Sequence, residues 1–237
     1  WSSRPVFITA GKGGALCDIL ETPDKKLAAL DKRPAKDSIE QMIAEEFALP
    51  DNGPAPSNKR RPPYRRNVYS FSHGPVRIIV ANNAYWFSSD AEAFGGCPPG
   101  CVMDDQMDWI EKELGAAEKD SSVKHVFVAF HNQLLPLSGN GDNRPRARTF
   151  ANGKLEPQKT GLLEQRNRLL EKIGSSPKVA AVLQSGAEGC LRMAVDKTTP
   201  VGVPASDDKD KNGVIEWDKE PASPLATLKS PVWHIST

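Results

Sequence analysis

Three observations in the sequence predict an α/β fold. Two nearly continuous apolar runs, 123–130 and 179–185, are typical of strands buried in the middle of a sheet. One helix pattern starts at Asp104 or Asp105 and has apolar residues at helical spacing up to Leu114, and a second runs over 160–174 and is closed by Gly174, so helix patterns alternate with those strands. Alternation of this kind predicts layers of helices on a sheet. The length of 237 residues allows one large domain or two small ones, and we predict a single domain over 1–237.

The other elements follow from local patterns. Ser38–Gln41 has the spacing of a capping box, and the helix that it opens is predicted to reach about Leu49. A hairpin is predicted around the turn His73–Pro75, and a long loop over 138–159. The remaining strand patterns, which include the two arms of the hairpin, occupy 5–10, 67–72, 76–81, 191–195 and 231–236.

Composition narrows the functional classes. The chain has 31 basic and 30 acidic residues, so its net charge of +1 gives no bulk argument for nucleic-acid binding. No apolar run approaches the roughly 18 residues of a membrane-spanning helix, so no membrane span is expected. The chain begins at Trp1 without a signal-peptide pattern, which favours a processed or truncated product.

The four cysteines favour an oxidising compartment, outside the cytoplasm: secreted, periplasmic or on the cell surface. Cys97 and Cys101 frame Pro98-Pro99-Gly100, a strong turn sequence, so a small disulfide loop is predicted there. Four reduced, buried cysteines are the alternative.

A calcium loop is predicted over 208–220, within the sequence DKDKNGVIEWDKE. It begins like an EF-hand loop, with a glycine at the sharp turn and an apolar residue two positions later. The predicted ligands are oxygen donors, contributed by Asp208, Asp210, Asn212, the carbonyl of Val214, Glu216 and Glu220. Lys219 stands at the usual position of the bidentate acid, so an acidic, solvated turn is the alternative.

Two basic segments raise the question of anion binding. A basic, proline-rich connection spans 50–66 and contains Lys59–Arg66, which suits a phosphate backbone or a plain surface loop. Lys12 lies among glycines, a composition found in anion-binding nests, although the P-loop pattern is incomplete. A flexible loop is the alternative for Lys12.

Three strand ends carry a more specific resemblance. They are Gly11-Lys12-Gly13-Gly14, the strand ending in His131, and Gly186-Ala187-Glu188-Gly189. In order and context they resemble metal-binding loops of the calcineurin-like metallophosphoesterases, a family that includes the purple acid phosphatases. That family has Gly-Asn-His-Asp/Glu, a strand ending in His, and Gly-His-x-His. His131 is the one ligand-like residue that remains here, as a remnant.

The resemblance implies a double-sheet α/β sandwich flanked by helices. The family places an Asp-x-His and a Gly-Asp-x-x-Asp loop upstream, whereas only ten residues precede Gly11, so the sandwich is expected to be incomplete at its N-terminus. A dinuclear transition-metal centre is not expected, because Lys12, Gly13, Ala187 and Gly189 provide no ligands.

The resemblance also implies a function and site roles. The predicted function is a degenerate, catalytically inactive module that serves a structural or binding role, with a protein partner or in an assembly. The alternative is an active, metal-dependent phosphoesterase completed by ligands from another chain or segment. A Cys17–Cys190 disulfide would join the first and last degenerate loops, and Arg192 matches a basic position that could hold an anion.

Overall fold

A six-stranded sheet forms the centre of the structure. The structure is a computed structural model that describes residues 39–57, 63–85, 102–134, 149–151, 154–156, 162–185, 190–199, 225–226 and 228–236. Within those ranges the helices are α1 (Ile39–Glu46), α2 (Asp104–Lys119) and α3 (Leu162–Ser175). The strands are β1 (Tyr69–His73), β2 (Val76–Val80), β3 (His125–Phe130), β4 (Thr149–Ala151), β5 (Lys154–Glu156), β6 (Val179–Gln184), β7 (Leu191–Val195) and β8 (Val232–Ser236).

The strand order in the main sheet is β1-β2-β3-β6-β8-β7. The four inner strands β2, β3, β6 and β8 are parallel, and the edge strands β1 and β7 pair antiparallel with their neighbours. The α/β class is therefore confirmed. Because parallel neighbours end at the same edge of a sheet, the residues that follow β2, β3 and β6 lie side by side.

Helices α2 and α3 cover one face of this sheet. Met107, Ile110 and Leu114 recur at helical spacing on α2 and are buried in the main apolar core. Leu169, Leu170 and Ile173 of α3 are buried in the same core, which also contains Val128 and Val182 of the sheet. Arg168 joins the two helices at their surface, because its guanidinium contacts Asp108 at 2.7 Å and Glu111 at 3.0 Å.

The opposite face of the sheet is also apolar. Its buried members are Tyr69, Ile78, Val80 and Ala129, and Leu49, Phe71, Val76, Phe127 and Leu183 pack around them. Apolar residues on both faces are expected of a sheet that is covered on both sides. The second sheet of the predicted sandwich remains a prediction, since outside the main sheet the described strands are β4 and β5, which pair only with each other.

Two expectations need correction. The long loop expected over 138–159 contains the strand pair β4 and β5, and the Asn152-Gly153 between them is a strong hairpin signal in the sequence. Helix α1 ends at Glu46 rather than at about Leu49. Leu49 packs against the second face of the sheet, and its backbone N–H donates to the carbonyl of Phe47.

The edge strand β1 is held by the segment that precedes it. The side chain of Asn52 donates to the carbonyl of Ser70 at 2.9 Å and accepts from its N–H at 3.0 Å, as a neighbouring strand would. Gly53 lies so close that an added Cβ would be 2.1 Å from the carbonyl oxygen of Val68. This contact requires glycine at that position.

Among the described helices, none is long and apolar enough to cross a bilayer.

Candidate functional site

Polar residues collect where the parallel strands end. Asn82 and Asn83 lie just beyond β2, His131 and Asn132 follow β3, and Ser185 follows β6. The carboxyl edge of parallel strands is where open α/β sheets bind ligands. We therefore take this edge as the candidate site.

His131 is half-buried at the centre of the edge. Its Nδ1 lies 2.7 Å from the hydroxyl oxygen of Ser185, and the backbone N–H of Ser185 donates to the carbonyl of His131 at 3.0 Å. One ring nitrogen is therefore engaged by a serine on the neighbouring strand end. The imidazole thus has a defined hydrogen-bonding role in joining the ends of β3 and β6.

A reciprocal pair of asparagines closes the edge between β2 and β3. The N–H of Asn132 donates to Oδ1 of Asn83 at 2.8 Å, and Nδ2 of Asn83 donates to the carbonyl of Asn132 at 2.8 Å. Nδ2 of Asn132 donates in turn to the carbonyl of Asn83 at 3.0 Å. Both residues are buried. Buried side-chain amides that hydrogen-bond the backbone of the facing loop fix the two loops relative to one another.

Gln106 of helix α2 reaches into the same region. Its Oε1 accepts from the N–H of Asn82 at 3.0 Å, and its Nε2 donates to the carbonyl of Asn82 at 3.0 Å. The Oδ1 of Asn82 accepts from the N–H of Ala84 at 3.0 Å, while its Nδ2 is buried without a hydrogen-bond partner. The helix therefore holds the turn after β2 through both backbone groups of one residue.

The β6–β8 end of the edge is also amide-rich. The Oε1 of Gln184 accepts from the N–H of Leu134 at 2.5 Å, and its Nε2 lies 3.3 Å from Nδ1 of His234. Gln133 donates from Nε2 to the hydroxyl of Ser236 at 3.2 Å. Burial lowers the pKa of His234 from 6.5 to about 4, because desolvation disfavours the imidazolium. His234 is therefore neutral near pH 7.

The chemistry of the described edge is that of amides, hydroxyls and imidazoles. Phosphoesterase metal centres need imidazole and carboxylate ligands at fixed points around the ions. In the portion of the chain that the structure describes, no three His, Cys, Asp or Glu side chains form a group that could hold a metal ion. The amide pairs hold loop to loop instead.

The predicted site residues are only partly within the described ranges. Lys12, Cys17, Cys97, Cys101, the 186–189 loop and the calcium loop over 208–220 lie outside them, so those predictions stand untested. Cys190 is exposed and its thiol is free in the structure, while its predicted partner Cys17 is not described. Arg192 is exposed on β7, with its guanidinium 5.0 Å from the ring centre of Trp233.

The sequence interpretation missed the asparagines and glutamines of this edge. Asn83, Asn132 and Gln184 were not singled out, and only His131 was. The available signal was position, since each polar residue ends or follows a strand that is otherwise apolar. Their mutual pairing depends on tertiary contacts between residues up to 50 positions apart, which no local pattern reveals.

Comparisons with known proteins give a distant structural likeness. No protein-family model matches it, and no curated protein matches it. A solved structure described as "Structure of PhoD" is similar with a TM-score of 0.42 and 14% identity, over 83% of this chain and 32% of that one. The chain thus spans about a third of the length of that structure. A likeness at this level says nothing about the activity of this chain.

Proposed function

We propose that this chain is a catalytically inactive, metallophosphoesterase-like domain that acts as a structural or binding module outside the cytoplasm. The observation that carries the proposal is the buried Asn83–Asn132 pair, which occupies the carboxyl edge between two parallel strands with neutral amides. A dinuclear centre at such an edge needs ligands that face the ions, whereas each of these side chains hydrogen-bonds the backbone of the other residue.

The sequence supports the proposal independently. Two loops that resemble the family's metal-binding loops have Lys12-Gly13 and Ala187–Gly189 where the family has ligands. A protonated lysine has no lone pair to donate, and glycine and alanine have no side-chain donor. A single imidazole, His131, does not hold two metal ions.

The alternative is an active phosphoesterase whose missing ligands come from another chain or segment. His131 favours it, because an imidazole at the end of a central strand is where the family has a ligand. The two hypotheses differ in the metal that they require, two transition ions in one case and calcium alone or no metal in the other.

Metal analysis of the purified protein separates them. We expect no stoichiometric manganese, iron or zinc in the parent, and the same result in His131→Ala. Two transition metals per chain that disappear in His131→Ala would overturn the proposal in favour of the alternative. Loading the protein with each metal before gel filtration extends the test to ions lost during purification.

The extracytoplasmic location and the calcium loop are further parts of the proposal. Cys97 and Cys101 around a Pro-Pro-Gly turn support an oxidising compartment, and peptide mapping without reductant should find Cys97–Cys101 and Cys17–Cys190 bridges. Four alkylatable thiols in freshly isolated protein would contradict both pairings.

A further inference from the structure

The two edges of the main sheet differ in how they are covered. The edge strand β1 has Asn52 bonded to both backbone groups of Ser70. The opposite edge strand, β7, pairs with β8 on one side, and no described residue pairs with its other side. An open edge strand has a row of unpaired N–H and C=O groups that can pair with another chain.

The side chains of β7 make it complementary to itself. Alternate residues of a strand share a face, so Arg192 and Ala194 lie on one face together with Asp196, which follows the strand directly. All three are exposed. If two copies of the strand run antiparallel with Ala194 opposite Ala194, then Arg192 of each copy lies opposite Asp196 of the other.

Hydrogen bonds from Thr198 hold the carboxylate of Asp196 in place and keep it ionised. Its Oδ1 accepts from the N–H of Thr198 at 2.8 Å and from the hydroxyl of Thr198 at 2.7 Å. These hydrogen bonds lower the pKa of Asp196, so the group is charged at neutral pH. Like charges do not meet in this register, because the opposing groups are a guanidinium and a carboxylate.

Size and polarity also fit this register. Ala194 lies opposite Trp233 of β8, which is 42% exposed. In the antiparallel pair the two small Ala194 side chains therefore lie between Trp233 of one copy and Trp233 of the other, and leave space for both rings. On the helix-covered face the register places Met193 opposite the buried Val195 of the second copy, an apolar cross-strand pair.

We propose that β7 is a homodimerisation edge, at which two copies of this chain pair antiparallel about a two-fold axis through Ala194 and form one continuous sheet. Isologous pairing of this kind closes, so it ends at a dimer rather than continuing into a fibre. The proposal concerns assembly and is independent of whether the carboxyl edge is catalytic.

Charge reversal tests the register directly. Arg192→Glu and Asp196→Arg each replace two attractive cross-strand pairs with two repulsive ones, so each variant alone should have a dimer dissociation constant at least about tenfold above the parent's. An equimolar mixture should recover the parent's affinity, because the introduced glutamate faces the introduced arginine while the native Arg192 faces the native Asp196. Lys197→Glu is the matched control, since it changes an exposed neighbouring charge outside these pairs.

Sedimentation velocity over a protein concentration series provides the measurement, with circular dichroism to show that each variant keeps its fold. A parent that stays monomeric at every concentration overturns the proposal. A dimer that neither reversal weakens lies on another surface, which also overturns it. Weakened single variants whose mixture does not recover would refute the register centred on Ala194.

Discussion

Replacing Asn83 with alanine tests whether the Asn83–Asn132 hydrogen bonds act as a structural lock, that is, whether they stabilise the fold by joining the loops after β2 and β3. The substitution removes the Oδ1 that accepts from the N–H of Asn132 and the Nδ2 that donates to its carbonyl, both at 2.8 Å. Asn83 and Asn132 are buried, so the two backbone groups of Asn132 would lose their partners away from water. Each unsatisfied buried group costs about 1–3 kcal/mol, so Asn83→Ala should lower the free energy of unfolding by about 2–6 kcal/mol.

Asn52→Ala is the matched control. It removes the same pair of hydrogen bonds to one residue, the buried Ser70, but the side chain that is truncated is itself exposed at the sheet edge, so water can take its place beside the backbone of Ser70. That variant should lose only about 1 kcal/mol. Urea denaturation of both variants, with unchanged m-values, provides the comparison. An Asn83→Ala variant that costs no more than Asn52→Ala would refute the interpretation of the asparagine pair as a lock.

Three further predictions concern the rest of the chain. Gly53→Ala should destabilise the fold by about 1–3 kcal/mol, because its Cβ would meet the carbonyl oxygen of Val68. Gly115→Ala lies in an open helical position and should stabilise the fold by up to about 1 kcal/mol. Thermal unfolding measures both variants, and equal effects would contradict the close approach of Gly53 to Val68. Because burial lowers the pKa of His234 to about 4, the unfolded chain binds a proton at this residue first as the pH falls. The contribution of neutral His234 to the free energy of unfolding should therefore be complete above about pH 6.5 and be lost between there and about pH 4. Urea denaturation against pH measures this loss, and a His234→Gln variant with the same pH dependence as the parent would exclude His234 as its source. Millimolar calcium should raise the melting temperature, with a dissociation constant of roughly 10⁻⁴–10⁻³ M, and the double variant Asp208→Ala with Asp210→Ala should abolish the rise. If calorimetry detects no heat of calcium binding, residues 208–220 are an acidic turn and not a calcium site.

The sequence predicted the main sheet well because its signals are local. The apolar runs 123–130 and 179–185 are the central strands β3 and β6, and the hairpin around His73–Pro75 lies at the edge with strands within two residues of the expected bounds. Apolar spacing likewise predicted α2 and α3, since their buried stripes face the sheet. Periodicity reports which face of an element is buried, and that is enough to set its type.

Element ends and tertiary contacts were harder to predict. Gly174 was expected to close helix α3, but the helix continues to Ser175, and an added Cβ at Gly174 would lie 2.6 Å from a methyl carbon of Leu228. Glycine there is explained by close packing with a segment more than 50 residues away, which the helix-stop signal does not encode. For the same reason His131 could be found from its position after β3, while its partner Ser185 could not.

The central claim of the proposed function is that hydrogen-bonded amides close the described part of the carboxyl edge of this sheet and that the protein has no hydrolytic metal centre. The most direct measurement is turnover of phosphomonoester and phosphodiester substrates by the purified protein with manganese, iron or zinc supplied, beside His131→Ala as control. We predict that parent and variant both remain at the rate of the metal-containing buffer. Metal-dependent turnover in the parent that His131→Ala abolishes would contradict the claim.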